Sequence, residues 1–214
     1  MRKGSKIIIG TIALIATIIA LLAMAYSVYQ KDVKLSKYHT SVGEKLLYAK
    51  KTSEAMSELE KALELDPRNT HAERVLLDAY LDNKLYDKAI AMQLSQLKSA
   101  PDEIWDFKRN KRIGEIYIET NNIKNAKAIY GSLLKKYAKT PGVYSGLIIC
   151  YEKEGDWPKA LEYQKQVVHI LQHDYSPIPT SMLKKELQKL SELYKKTGQE
   201  ELADKALQDL SKIK

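Results

Sequence analysis

The sequence predicts an all-α protein in which an N-terminal transmembrane helix precedes a solenoid of about five helix-turn-helix units. Two observations lead to this fold class. Residues 7–29 carry no charged side chain. Beyond them, an alanine occurs five times at the same position of a helical pattern, at spacings of 34, 37, 34 and 43 residues. Such near-regular spacing is typical of stacked pairs of helices. These alanines are Ala55, Ala89, Ala126, Ala160 and Ala203.

The uncharged N-terminal stretch is long enough to cross a membrane. It contains 23 residues. At about 1.5 Å per residue, a helix of this length matches the roughly 30 Å hydrocarbon core of a bilayer. We therefore predict a basic N-terminal tail at residues 1–6, an anchor at 7–29 and a linker at 30–35.

A cleaved signal peptide is the alternative for this stretch. Ala23, Met24 and Ala25 form a small-x-small site that could be cut before Tyr26. The uncharged run exceeds the core of about 7–15 residues that signal peptides have, and it continues past that site, which favours an uncleaved anchor.

The orientation of the anchor follows from its flanks. Its tail is basic, which favours a cytoplasmic N-terminus, but lysines also follow the anchor. Long soluble domains translocate largely regardless of charge. We therefore predict a single-pass membrane protein with its N-terminus in the cytoplasm and its repeats outside, in the periplasm or at the cell surface.

Each recurring alanine belongs to the second helix of a pair. A tyrosine or leucine lies nine residues before it, and another apolar residue lies four residues further upstream, as on one helix face. The insertion predicted at 175–183 contains Pro177 and Pro179. The repeats predicted within the domain 36–214 are 36–69, 70–103, 107–140, 141–174 and 184–214.

Repeat 1 carries the clearest further pattern. Gly43 stands where the first helix must approach its neighbour, Ala55, Leu59 and Ala62 follow at helical spacing, and Pro67 closes the unit. This pattern resembles the tetratricopeptide repeat family, in the layout of its membrane-anchored bacterial members. The resemblance implies a right-handed α-solenoid whose first helices line a groove that binds a peptide or helix of another protein.

The resemblance also implies which side chains line this groove. In repeats 2 and 3 they are His71, Arg74, Asp78, Lys108, Lys111, Arg112 and Glu115. Some members of the family hold a C-terminal carboxylate in a clamp, and Lys108 and Arg112 match two of its positions. Thr40, Glu44 and Val75 occupy the other three, so the full clamp is missing. We predict partner proteins or peptides with acidic or C-terminal carboxylate groups, although such charges can also serve only to solvate an exposed face.

Repeat 4 is unusually bare at the corresponding positions, Gly142, Ser145 and Gly146. Small residues there either leave room for a bulky side chain of a partner or allow close helix packing. The neighbouring stretch 175–179 offers a second place for a partner to bind.

Composition and motifs point away from other functions. Residues 1–31 hold four basic residues and no acid, so only +4 of the formal net charge of +8 belongs to the rest, and no nucleic-acid binding is predicted. Cys150 is predicted to be a small core residue. His169 and His173 lack a third metal ligand at a defined spacing, so they are predicted to be surface histidines. No catalytic motif occurs, and we predict no enzymatic activity, cofactor or metal.

These observations predict a membrane-anchored scaffold or adaptor in envelope assembly, secretion or maturation of exported proteins. Two alternatives stay open. One is a structural membrane protein that self-associates, with Ala16 and Ala20 as small residues on one face of the span. The other is a secreted repeat protein released by signal cleavage.

Overall fold

The computed structural model describes residues 2–99, 102–177 and 179–213, with side chains from residue 14 onward. These residues form ten α-helices and no β-strand, which confirms the predicted fold class of an all-α solenoid of helix pairs. In chain order the helices are α1 (Arg2–Tyr48), α2 (Thr52–Leu65), α3 (Thr70–Asp82), α4 (Tyr86–Ser99), α5 (Glu103–Glu119), α6 (Ile123–Lys136), α7 (Pro141–Glu154), α8 (Trp157–His173), α9 (Thr180–Lys196) and α10 (Glu200–Lys212).

The chain divides into two compact units, residues 1–92 and 93–214. The first unit contains α1 to α3 and the beginning of α4, and α2 packs against both α1 and α3. The second unit contains the rest of α4 and α5 to α10. Within it, each helix from α5 to α10 packs against the next one along the chain. This nearest-neighbour stacking is how a solenoid buries the apolar faces of helices that would be unstable alone.

Helix α1 contains both the predicted anchor and the first helix of repeat 1. The linker predicted at residues 30–35 is absent, because these residues are helical and continue α1 without a break. No glycine or proline occurs between Tyr26 and Val42, so no residue disrupts the hydrogen bonds of the helix. The side chains of residues 7–13 in the predicted anchor lie outside the described ones.

Small residues allow α1 to lie close to α2. A Cβ on Gly43 would lie 2.7 Å from Leu59 Cγ, so a larger residue at this position would push the two helices apart. Ala55, Leu59 and Ala62 on α2 are fully buried. The predicted role of Gly43 as the point of close approach in repeat 1 is therefore confirmed.

A buried hydrogen-bond network joins α1, α2 and the start of α3. The side-chain oxygen of Asn69 accepts from the backbone N–H of Ala72 at 3.0 Å and so caps α3. Its amide donates to Ser36 Oγ at 2.8 Å and to Thr40 Oγ1 at 3.0 Å. Ser36 Oγ in turn donates to the carbonyl of Ala62 at 2.7 Å. Thr40 is thus a structural residue of the first repeat.

In the second unit, Tyr130 on α6 fills the space between two glycines. A Cβ on Gly114 of α5 would lie 2.7 Å from Tyr130 Cε2, and one on Gly146 of α7 would lie 2.2 Å from Tyr130 Cε1. The Tyr130 ring is 2% exposed. Gly146 therefore serves close helix packing, whereas a Cβ on Gly142 would meet only Lys111 Cε, at 3.7 Å.

The turns and helix ends mostly follow local sequence. Gly155 is left-handed, with φ +76°, and Asp156 caps α8 by accepting from the backbone N–H of Lys159 at 3.2 Å. One boundary differs from the prediction: α9 begins at Thr180, so the last four residues of the insertion predicted at 175–183 are helical. In α10, Ala203 and Ala206 are buried, whereas Leu207 is exposed.

Candidate partner-binding site

The predicted groove residues of repeat 2 lie on the exposed side of α3, where they contact one another. Arg74 Nη1 lies 3.5 Å from Asp78 Oδ2, and Arg74 Nη2 lies 3.3 Å from His71 Nδ1. Because arginine can only donate, Nδ1 of His71 is the acceptor in this contact. His71 Nε2 then donates to Glu44 Oε1 of α1 at 2.9 Å. The result is an exposed chain of alternating donors and acceptors across α1 and α3.

The predicted groove residues of repeat 3 lie along α5, with Glu115 between two cations. Lys111 Nζ donates to Glu115 Oε1, and Arg112 Nη1 donates to Glu115 Oε2 at 3.1 Å. Burial alone would raise the pKa of the Glu115 carboxyl, but the hydrogen bonds and charges of Lys111 and Arg112 outweigh it and hold that pKa below its ordinary value. The carboxylate therefore satisfies both cations at neutral pH.

Lys108 differs from its neighbours on α5. Its ammonium lies 4.3 Å from the centre of the Trp105 ring, in a cation–π contact, and its side chain is exposed. It forms no ion pair within the part of the chain that the structure describes. The predicted groove contains four cations, Arg74, Lys108, Lys111 and Arg112. Among them, Lys108 is the one that forms no ion pair with a carboxylate of a described residue.

The structure separates the seven predicted groove residues into two groups. His71, Arg74 and Asp78 belong to the first unit, and the four residues of α5 belong to the second. Within each group the charges are mutually satisfied except for that of Lys108. Thr40 and Val75, which stand at two unmatched clamp positions, are buried and cannot reach a ligand. Pairing of this kind depends on which rotamers meet across helix turns, which sequence spacing only partly specifies.

A cavity of about 570 Å³ lies at the starts of α7 and α9, beside the loop that joins α8 to α9. The bare positions of repeat 4 and the stretch 175–179 both stand out in the sequence, but their spacing does not predict that they form one cavity. Its walls carry more apolar than polar surface. The lining residues are Thr140, Pro141, Gly142, Ser145, Tyr175, Pro179, Ser181, Met182, Lys185 and Glu186.

The other residues singled out in the sequence are one buried cysteine and two exposed histidines. Cys150 is fully buried, and burial raises the pKa of its thiol to about 11, so the thiol stays protonated and unreactive at neutral pH. The rings of His169 and His173 lie 4.5 Å apart, and Asp174 beside them is held by Lys139 at 2.8 Å. Among the described residues, no three or more potential metal ligands come together.

Comparison with known proteins agrees with this fold. Family models for tetratricopeptide repeats match residues 46–110 and 112–140. The chain is similar to the crystal structure of BtubC (BKLC) from P. vanneervenii, with a TM-score of 0.63, 16% identity, and coverage of 89% of this chain and 84% of that one. For MamA 41-end from Desulfovibrio magneticus RS-1, the TM-score is 0.59 at 15% identity, with 83% of this chain and 94% of that one covered.

A third similar structure is a tetratricopeptide repeat protein from Parabacteroides merdae ATCC 43184, with a TM-score of 0.56, 16% identity, and coverage of 83% of this chain and 65% of that one. No curated protein sequence matches the chain. At these identities the similarity concerns the fold alone. Residues 46–110 and 112–140 thus match tetratricopeptide repeats in sequence, and the stacked helix pairs of the chain agree with that repeat fold.

Proposed function

We propose that this protein is a single-pass membrane scaffold whose repeats hold partner proteins at the membrane, in envelope assembly, secretion or maturation of exported proteins. The main support for this proposal is the continuity of helix α1. Its exposed apolar part continues, without a break, into the helix that packs against α2 in the first repeat. The proposed membrane anchor and the first helix of the repeats are thus one continuous helix.

The exposed side chains of α1 support an anchor in lipid. Leu21, Leu22 and Met24 are each more than 60% exposed, and no other helix among the described residues is long and apolar enough to cross a bilayer. A contiguous apolar surface of this kind is unfavourable in water. The hydroxyl of Thr17 donates to the carbonyl of Leu14 at 2.7 Å, so this polar group is satisfied within the helix, as a lipid environment requires.

The unbroken helix also holds the first repeat at a defined height above the bilayer. At about 1.5 Å per residue, Tyr48 lies about 28 Å along α1 from Tyr29. Without a flexible linker, the first repeat cannot swing freely relative to the anchor. We propose that the N-terminal tail is cytoplasmic and that the repeats lie outside the cytoplasm, because a short basic tail is difficult to translocate.

The exposed sides of α3 and α5 are the proposed binding surfaces. On α5 an acidic group of a partner can bind Lys108 directly, or replace Glu115 as the partner of Lys111 or Arg112. Charge-assisted contacts with arginine are directional and favour carboxylates. On α3, the paired charges of Arg74 and Asp78 favour a partner that carries both signs of charge.

The test is a pull-down of the full-length protein from detergent-solubilised membranes, with partners identified by mass spectrometry. The double variant Lys108→Glu, Arg112→Glu reverses two charges on α5. Its matched control, Lys124→Glu with Lys135→Glu, makes the same change at exposed positions of α6. We expect partners that the wild type and the control capture and the α5 variant loses. An identical partner list for all three proteins would refute α5 as the binding surface.

A further inference from the structure

The cavity at the starts of α7 and α9 has features of a ligand site that the α3 and α5 surfaces lack. Its volume of about 570 Å³ lies within the range of roughly 300–1,000 Å³ that bound ligands occupy. It lies wholly within the second unit, residues 93–214. The α8–α9 loop closes one side with Tyr175 and Pro179, and the first turns of α9 close another.

The walls of the cavity are apolar and uncovered. Tyr175 is 42% exposed and Met182 is 48% exposed, although both line a concave surface. Tyrosine and methionine are enriched where proteins bind other proteins, and methionine adapts its shape to different partners. Gly142 lies in the lining without steric strain, because a Cβ there would make only an ordinary van der Waals contact, at 3.7 Å, with Lys111 Cε.

The two charged residues of the lining differ in what they offer a ligand. Gln164 holds Glu186 through its amide nitrogen, which donates to Glu186 Oε2 at 2.8 Å and to the Glu186 carbonyl at 2.9 Å. Lys185 is exposed and forms no ion pair or hydrogen bond with any described residue. The cavity therefore combines apolar walls with one cation that no described carboxylate satisfies.

We infer that this cavity binds a short segment of a partner protein in which an apolar side chain is next to an acidic group. The apolar side chain lies against Tyr175, Pro179 and Met182, and the carboxylate, from Asp, Glu or the C-terminus, pairs with Lys185. The unpaired charge of Lys185 favours an acidic segment. The exposed side chains of Tyr175 and Met182 are of the kind found at protein interfaces, which favours a peptide as the ligand. This inference rests on the proposed scaffold function and places one of its binding sites within repeats 4 and 5.

The experiment measures binding of fluorescent eight-residue peptides to the full-length protein in nanodiscs by anisotropy. One peptide set carries Leu or Phe next to Glu, a second replaces the Glu by Lys, and a third replaces the apolar residue by Gly. We expect the first set to bind best. Lys185→Glu should weaken its binding about tenfold and shift the preference toward the Lys peptides. Gly142→Leu, which fills the cavity, should abolish binding of both apolar sets.

Lys195→Glu is the matched control, because it makes the same charge change at an exposed position near the other end of α9. Unchanged melting temperatures confirm that each variant folds. Equal binding of the three peptide sets, or equal losses in Lys185→Glu and Lys195→Glu, would overturn the inference. If Gly142→Leu still captures the wild-type partners from membranes, the cavity is not their site although the scaffold function stands. If the wild type captures no partner, the scaffold function itself fails.

Discussion

At the scale of single residues, side-chain size sets how closely the helices of the second unit approach. The Tyr130 ring is enclosed by Gly114 on one side and Gly146 on the other, and its hydroxyl donates to the carbonyl of Lys111 at 3.4 Å. Since the ring is buried, it has no free space into which it can move. Gly142, one helical turn before Gly146, faces no such constraint. Close packing against Tyr130 thus requires glycine at position 146 of α7 but not at position 142.

Replacing Gly146 by alanine should destabilise the protein by about 1–3 kcal/mol, because the new methyl group would overlap the Tyr130 ring. Gly142→Ala is the matched control on α7 and should leave stability unchanged or raise it by up to about 1 kcal/mol, since alanine favours helix over glycine. Urea unfolding of both variants measures the difference. Equal stabilities would mean that Tyr130 can move aside.

The carboxylate of Glu115 should contribute stability that depends on pH. Its pKa in the folded protein lies below the ordinary value. This contribution is therefore complete above the unfolded-state pKa and is lost as the pH falls through the folded-state pKa. In Glu115→Gln the free energy of unfolding should be lower at neutral pH and should fall less steeply below about pH 5.

Urea unfolding between pH 3 and pH 7 gives this profile. The control is Glu192→Gln, at an exposed position of α9 that forms no ion pair with any described residue. Its profile should follow that of the wild type. A Glu115→Gln profile parallel to the wild-type one across the whole range would disprove the role of the Lys111 and Arg112 pairs in stability.

At the scale of helices and turns, sequence predicts what local chemistry determines. The left-handed turn at Gly155 and the cap by Asp156 depend on residues within a few positions of each other. The linker at 30–35 was predicted from its position between an anchor and a repeat, although it contains no helix-breaking residue. The repeat boundary predicted at residue 184 falls inside α9, because the helix begins at Thr180, directly after Pro179.

The continuity of α1 can be measured by the distance between spin labels at Ser27→Cys and Lys45→Cys. These exposed positions are separated by five helical turns, so we expect a narrow distribution centred near about 27 Å plus the label offset. Cys150 is buried and its thiol is protonated, so it should not be labelled. Replacing both Lys34 and Leu35 by glycine should broaden the distribution. A broad distribution in the unmodified helix would show that it is broken.

At the scale of the whole molecule, the solenoid was predictable because the same buried position recurs at nearly regular spacing in the sequence. It is occupied by five alanines, all of which are fully buried. The binding surfaces were less predictable. The pairing of Glu115 with two cations depends on rotamers, and the cavity depends on how a loop folds over the starts of two helices. Both are consequences of tertiary structure that residue spacing does not encode.

The proposed membrane orientation can be tested with the single native cysteine of the chain in place. Ser41→Cys on the exposed side of α1 should react with a membrane-impermeant maleimide in intact cells, because the repeats are proposed to lie outside. Ser5→Cys in the N-terminal tail should react only after lysis. The reverse pattern would place the repeats in the cytoplasm, and a mature chain that begins at Tyr26 would show signal cleavage.

We propose that the repeats hold partner proteins at the membrane. The most direct measurement is cross-linking in cells, followed by alkaline washing of the membranes and mass spectrometry of the proteins bound to the full-length chain. A fusion of residues 1–35 to an unrelated soluble domain provides the control. We predict that the full-length chain stays in the membrane pellet with proteins that the control does not retain. A chain that washes off the membrane, or one that retains only copies of itself, would contradict this account.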